Sequence, residues 1–315
     1  MHVQSARSAG PQRCVGECQV APCRHSNTTR VALTVESIGY LVPQTNFSGR
    51  VHSVFAQACN LACNDTLLAL CTFGAGDAPA TLRLVRGAPN DLRALFEVGE
   101  RIDCRQGWLR TSRAELQWVD ASVWRPAEPG LRLPPSRTAE HLRNAHRRLA
   151  QHRRTHASVI DGEAAPVAAA LGDACRSLDS ERATRHVDRL IGWGEGLTPA
   201  GDDFLIGLLA GLDACVPVNG RGRRFRNALT AAFTGLTQRT TPIAAHYLRL
   251  AEGGHYNSSL IVLRNALLSE DDGAVVDAAL QRALAIGATS GADIVTGLLA
   301  GLLAGLPAAS TAELA

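Results

Sequence analysis

Three glycines alternate at positions 192, 194 and 196, followed by Leu197-Thr198-Pro199, then Gly201-Asp202-Asp203 and an apolar run to Leu212. This reads as a flexible turn leading into a buried helix. Thr198 is placed to N-cap that helix through its hydroxyl. Pro199 suits a first helical position, where its missing N–H costs nothing. Glycines just before a helix start let backbone N–H groups converge on an anion, and the helix dipole adds partial positive charge. The residue types suit a phosphate or acyl-phosphate, with Gly192, Gly194, Gly196, Thr198 and Gly201 as binding candidates. Asp202 and Asp203 are favoured by the same dipole yet would repel a bare phosphate. A divalent cation such as Mg²⁺ or Mn²⁺, held by the carboxylates, would remove that conflict.

The pattern returns at an offset of 90 residues, where Gly201 to Leu212 aligns with Gly291 to Leu302. Gly201 matches Gly291, Asp203 matches Asp293, and Gly-Leu-Leu-Ala-Gly-Leu is shared. Gly207 and Gly211, and Gly297, Gly301 and Gly305, strip one face of each predicted helix of side chains. Glycine inside a helix costs about 1 kcal/mol against alanine, so close backbone packing must offset it. The two helices are therefore expected to pack tightly and bring their starts to one cleft. Asp202, Asp203 and Asp293 become the catalytic or metal-ligating candidates there, with Ser290 and Gly291 beside them. Thr241, which opens the capped helix between them, is a further binding candidate, and His246 and His255 are weaker candidates for a general base.

Composition limits the chemistry. All 32 basic residues are arginine and none is lysine, so no pyridoxal-phosphate Schiff base, biotinyl-lysine or Walker lysine can form. A net charge of +3 over 32 basic and 29 acidic residues is too balanced to argue for nucleic acid. The apolar run from Ile294 to Leu306 is too short to span a bilayer. Nine cysteines, an odd count with no apolar signal segment in the first 25 residues, suggest reduced thiols and a cytoplasmic setting.

These residues need a scaffold, and the chain reads as α+β. Residues 1–29 look like a disordered tail; its Cys14, Cys18, Cys23 and His25 are of zinc-ligand type but match no usual knuckle spacing. Residues 30–125 carry short alternating apolar runs separated by turn residues, which predict a small β-sandwich or barrel, with a short helix over 92–98. Cys59 and Cys63 read as buried thiols beside a strand. A proline-rich linker spans 126–136. Residues 137–315 then read as all-helical, beginning with an arginine- and histidine-rich helix over 138–156 whose charges suit a solvated face, or else a polyanion or partner surface.

The run Gly-x-Gly-x-Gly-Leu-Thr-Pro-x-Gly-Asp-Asp-Phe-Leu-x-Gly, from Gly192 to Gly207, resembles the signature of a bacterial family once known only as a domain of unknown function. Its named member is the AllH subunit of oxamate carbamoyltransferase. Thr240-Thr241 and Ser290-Gly291-x-Asp293 resemble the family in order and spacing, although Ala200 stands where members often carry serine. The resemblance covers about residues 30–305. It implies a subunit that works with partner subunits to convert oxalurate and phosphate into oxamate and carbamoyl phosphate, in anaerobic use of allantoin and purine nitrogen. Two other readings stay open: a non-catalytic assembly subunit, and a metal-dependent hydrolase of a phosphoester or amide.

Overall fold

A computed structural model describes residues 30–127, 135–215, 220–269 and 272–305. The expected tail, with Cys14, Cys18, Cys23 and His25, and most of the proline-rich linker lie outside the described residues.

The first half is a barrel. β1 (Val31–Gly39), β2 (Phe47–Val54), β3 (Ala58–Cys63), β4 (Thr66–Cys71), β5 (Thr81–Leu84), β6 (Arg101–Arg105), β7 (Trp108–Arg110) and β8 (Ala114–Gln117) run in the order β5-β4-β3-β2-β6-β7-β8-β1. Antiparallel pairing of β1 with β5, Val35 opposite Leu84 and Ile38 opposite Leu82, closes the ring. Closure leaves no open edge within these eight strands. A ninth strand, β9 (Ser122–Trp124), continues beside the end of β1. Leu33, Val35, Leu61, Leu68, Leu70, Leu82, Ile102, Leu109 and Leu116 fill the interior. Cys59 and Cys63 are buried there as free thiols, in β3 itself. The expected helix over 92–98 shrinks to a single 3₁₀ turn, Leu92–Ala94, capped by Asp91.

The second half is helical: α1 (Pro135–Arg153), α2 (Ala165–Ser177), α3 (Ser180–Leu190), α4 (Ala200–Cys215), α5 (Gly220–Thr234), α6 (Pro242–Glu252), α7 (Ser258–Leu268), α8 (Gly273–Leu284) and α9 (Ser290–Gly305). α4 is buried at every position from Ala200 to Leu212, as expected of a helix that is apolar all round. It lies directly on α9, while α6 and α7 flank α4 and α1, α2 and α8 flank α9. α1 is not simply a solvated face, because Thr138, Ala139, His141, Leu142, Ala145 and Leu149 are buried. Its last residue, Arg153, turns inward.

The α4–α9 contact is backbone on backbone. A Cβ built on Gly207 would fall 1.9 Å from the Ile294 carbonyl oxygen, and one on Gly297 would fall 1.9 Å from that of Phe204. Further along, Gly211 meets the Leu298 carbonyl and Gly301 that of Leu208. Each contact maps onto its partner by the 90-residue offset, so the helices run parallel and are related by an internal pseudo-two-fold. The match extends to their starts. Gly201 admits the Leu190 carbonyl at the end of α3, and Gly291 admits the Ala283 carbonyl in α8. The glycine pattern is thus a device for close approach.

Candidate functional site

The glycine loop joins α3 to α4 and lies at the common starting end of α4 and α9. Gly192, Gly194 and Gly196 have φ of 73°, 108° and 94°, values that side chains rarely allow. The Gly192 N–H donates to Asp202 Oδ1 at 2.9 Å, and the Thr240 hydroxyl donates to Asp202 Oδ2. Thr241 accepts the Ala244 N–H at 3.1 Å as the α6 cap and donates its own hydroxyl to the Leu197 carbonyl at 2.5 Å. Asp202 and Thr241 therefore strap the two ends of the loop to the start of α6. The N–H groups of Gly194, Glu195, Gly196 and Leu197 donate to no other described residue. Glu195, Gly196 and Leu197 are exposed.

Several sequence expectations change here. Thr198 does not cap α4, since the Gly201 N–H is taken by the Trp193 carbonyl at 2.9 Å. Its hydroxyl instead meets that of Ser290 at 2.9 Å, across the joined helix starts. Gly201 and Gly291 are buried, and the Gly291 N–H goes to the Ile286 carbonyl. Neither they nor Gly192 can present an N–H to an anion. His246 lies at the barrel interface, where its Nδ1 accepts the Leu67 N–H at 3.4 Å and burial pushes its pKa down to about 4. His255 pairs with the Tyr40 hydroxyl at 2.8 Å. Both histidines serve the contact between barrel and helices.

The three aspartates are buried and differ sharply in their partners. Asp202 has both oxygens engaged, as above. Asp293 forms an ion pair with Arg153 Nη2 at 2.9 Å, and the same nitrogen reaches Thr296 Oγ1 at 2.8 Å. Arg153 Nε stands 3.2 Å from Asp161 Oδ2, within ion-pair distance but without hydrogen-bond alignment. Burial raises the Asp202 and Asp293 carboxyls; the hydrogen bonds from Thr240 and Gly192 oppose this for Asp202, and those from Ser158 and Arg153 for Asp293. Burial pushes Asp203 up to about 8, against hydrogen bonds from Ser290 and Thr198 and with the help of Asp293 and Asp202. Asp203 Oδ2 is buried and has no hydrogen-bond partner among the described residues. This arrangement does not fit a divalent cation, because one carboxylate has both oxygens hydrogen-bonded to loop and α6 donors and another faces a guanidinium. No group of three acidic, histidine or cysteine side chains among the described residues could hold a metal ion. Arg153, at the end of a helix whose pattern points to solvent, and the half-buried Tyr247, whose hydroxyl is raised by burial and also by Asp203, were not singled out from sequence. No spacing rule marks either.

The raised Asp203 carboxyl has a measurable consequence. The folded chain keeps a proton there that the unfolded chain releases near 3.8. Stability from this group is therefore complete below that value and is lost as pH rises to about 8. Asp203→Asn is expected to gain on the wild type by up to about 1.4 kcal/mol per pH unit through this window in urea denaturation. A difference that does not change with pH contradicts the assignment.

Residues 190–302 match the model of the oxamate carbamoyltransferase subunit AllH, and residues 31–123 match that of the AllH family N-terminal domain. Comparisons with curated proteins and with solved structures gave no match. The first match begins where α3 meets the glycine loop and ends within the last shared glycine-leucine pair of α9, so it spans both halves of the internal pair. With the barrel covered by the second match, the chain belongs to the AllH family.

Proposed function

We propose that this chain is the phosphate-binding subunit of a carbamoyltransferase that cleaves oxalurate with phosphate, giving oxamate and carbamoyl phosphate. The observation that carries the reading is the run of N–H groups from Gly194 to Leu197, unengaged by described residues and set over the joined starts of two parallel helices. Each helix contributes about half a positive charge at that end, which offsets the anion without any lysine. The Thr198 and Ser290 hydroxyls supply further donors. In the reaction a phosphate oxygen bonds to the carbamoyl carbon, the bond from that carbon to the oxamate nitrogen breaks, and that nitrogen takes a proton. Asp202 and Thr241 act as positioning residues that hold the loop.

The family name describes a subunit, which supports partner chains of the same enzyme. The balanced charge supports a small anion over nucleic acid, and no described helix is long and apolar enough to cross a membrane. Cys59, Cys63, Cys71, Cys104 and Cys175 are free thiols, which supports a reducing cytoplasm; the role in anaerobic allantoin and purine nitrogen use is supported by the family resemblance alone. A purely assembling role is the second reading, favoured by Trp193 and Leu197, which are 37% and 50% exposed in the same loop.

Gly196→Val separates the two, because a Cβ there meets no atom within 4 Å but φ is 94°, so the substitution strains the loop alone. With the partner subunits present, phosphate-dependent release of oxamate from oxalurate should fall at least about tenfold while the complex still elutes intact. Loss of the complex with normal turnover per assembled enzyme favours the assembling role.

A further inference from the structure

Arginines gather where α3 and α5 lie side by side. Arg182, Arg185, His186 and Arg189 recur at i, i+3, i+4 and i+7 on α3, so they share one face. Arg185 is held by Glu181, and Asp188 is held by Arg239. Arg182 and Arg189 are exposed and pair with no carboxylate among the described residues. Burial pushes the His186 pKa down first, and Arg182, Arg189 and Arg185 add to the shift, so all three guanidiniums bear on one point of the face. The Arg221 guanidinium reaches the Ser177 carbonyl just before α3, and Arg239, just after α5, reaches Asp188 near the α3 end. α5 therefore runs parallel to α3 and sets Arg223 and Arg224, exposed and likewise unpaired, beside the α3 start.

At its other end α3 leads into Trp193, 37% exposed and the one exposed aromatic side chain among the described residues. The Trp193 N–H donates to the Leu190 carbonyl, and its own carbonyl accepts the Gly201 N–H, each at 2.9 Å. The indole is thus carried on fixed backbone. Arginines with an aromatic on rigid backbone are the composition of a protein-binding face, and the aromatic is its anchor. α1 is also rich in arginine, but none of the exposed large apolar side chains among the described residues belongs to it.

We infer that this face, with Arg182, Arg189 and Trp193 at its centre and Arg223 and Arg224 beside them, docks an acidic surface of a partner subunit. Unpaired guanidiniums bind carboxylates in planar, two-bonded pairs, which sets the chemistry of the partner. The family name describes a subunit, which favours a protein over a nucleic acid as the occupant. A partner seated on α3 borders the exposed residues Glu195, Gly196 and Leu197, so its edge shields the proposed anion site from water. The inference rests on family membership, deepens the preceding reading by naming what covers its site, and does not require bound phosphate.

The dissociation constant of the full-length chain from the enzyme's other subunits tests it. Arg182→Glu/Arg189→Glu and Trp193→Ala should each weaken assembly at least about tenfold, while Arg147→Glu/Arg154→Glu on α1 leaves it unchanged. Raising salt from about 0.1 M to about 0.5 M should weaken the wild-type complex more than that of the α3 double variant. Urea curves check that each variant is folded; should the α3 double variant not fold, Trp193→Ala and the salt dependence of the wild type decide. Variants that assemble like the wild type, an α1 control that fails equally, a wild-type complex indifferent to salt, or a wild type that holds nucleic acid on α3 and no partner subunit would overturn the inference. Inorganic phosphate is titrated separately into the isolated chain, and Arg182→Glu/Arg189→Glu should bind it as the wild type does. A parallel loss would show that these arginines serve the small anion, and overturns the inference as well. Failure of the wild type to bind phosphate removes the anion reading and leaves this one, and unchanged assembly of the variants does the reverse.

Discussion

Gly297→Ala is expected to be among the most damaging single-methyl additions this chain can receive. The new Cβ would sit 1.9 Å from the Phe204 carbonyl oxygen and 2.8 Å from the Leu208 nitrogen. Both are backbone atoms of a buried helix, so no side chain can swing aside, and α4 and α9 must separate along their length. Overpacking in a well-packed core costs about 1–3 kcal/mol and occasionally more; with only backbone to yield, the expected loss is about 3 kcal/mol or above. Against a total stability of about 5–15 kcal/mol, that is a large share. Gly207→Ala should behave alike, since its Cβ meets the Ile294 carbonyl oxygen at 1.9 Å. The contrast is Gly273→Ala at the start of α8, where a Cβ meets nothing within 4 Å. There the change should be neutral or stabilising by up to about 1 kcal/mol. Urea midpoints at unchanged slope measure all three. A Gly297→Ala variant as stable as Gly273→Ala would refute the backbone contact.

Arg153→Gln should cost about 3–5 kcal/mol, the loss typical when one partner of a buried ion pair is removed. The Arg153 side chain is 10% exposed and that of Asp293 is 0%, so water cannot replace the missing cation. The Thr296 hydroxyl loses its donor in the same step. Adding Asp293→Asn removes the stranded charge, and the double variant should regain more than half of the loss. A double-mutant cycle by urea denaturation reads the coupling directly. A coupling below about 0.5 kcal/mol would show that the two groups do not act as a pair.

How much of this could be read in the residues differs by element. The α4–α9 pair was legible because its cause is local and repeated: glycine at every fourth position of a buried helix is costly unless another backbone lies against it. The start of α6 followed from its cap, Thr241 before Pro242, whereas the Asp179 and Asp272 caps of α3 and α8 are seen only in the fold. Barrel closure was less legible, because it depends on β1 meeting β5 some fifty residues away. A sandwich uses the same alternating strands. β9 escaped notice as three residues with little burial.

The site divided in the same way. Asp202 and Asp203 are adjacent in type and position, yet a helix turns successive side chains about 100° apart. One therefore meets the Thr240 loop and the other the α9 start. A linear reading gives them one role; the fold gives them two. Thr198 had the right residue type for a cap, but the loop's own Trp193 carbonyl took the N–H that a cap would have served. Arg153 was hidden among the arginines of a polar helix, and only the position of Asp293 in space marks it as different.

At the centre of the proposal, the exposed loop and the two hydroxyls beneath it bind an anion at the joined helix starts. Calorimetric titration of inorganic phosphate into the wild type, Gly196→Val and Thr198→Val/Ser290→Ala tests this most directly. Binding by the wild type, weakened at least about tenfold in both variants while urea curves show each fully folded in the absence of denaturant, is the predicted result. Wild-type protein that binds no phosphate, or variants that bind it equally well, would contradict the proposed anion site.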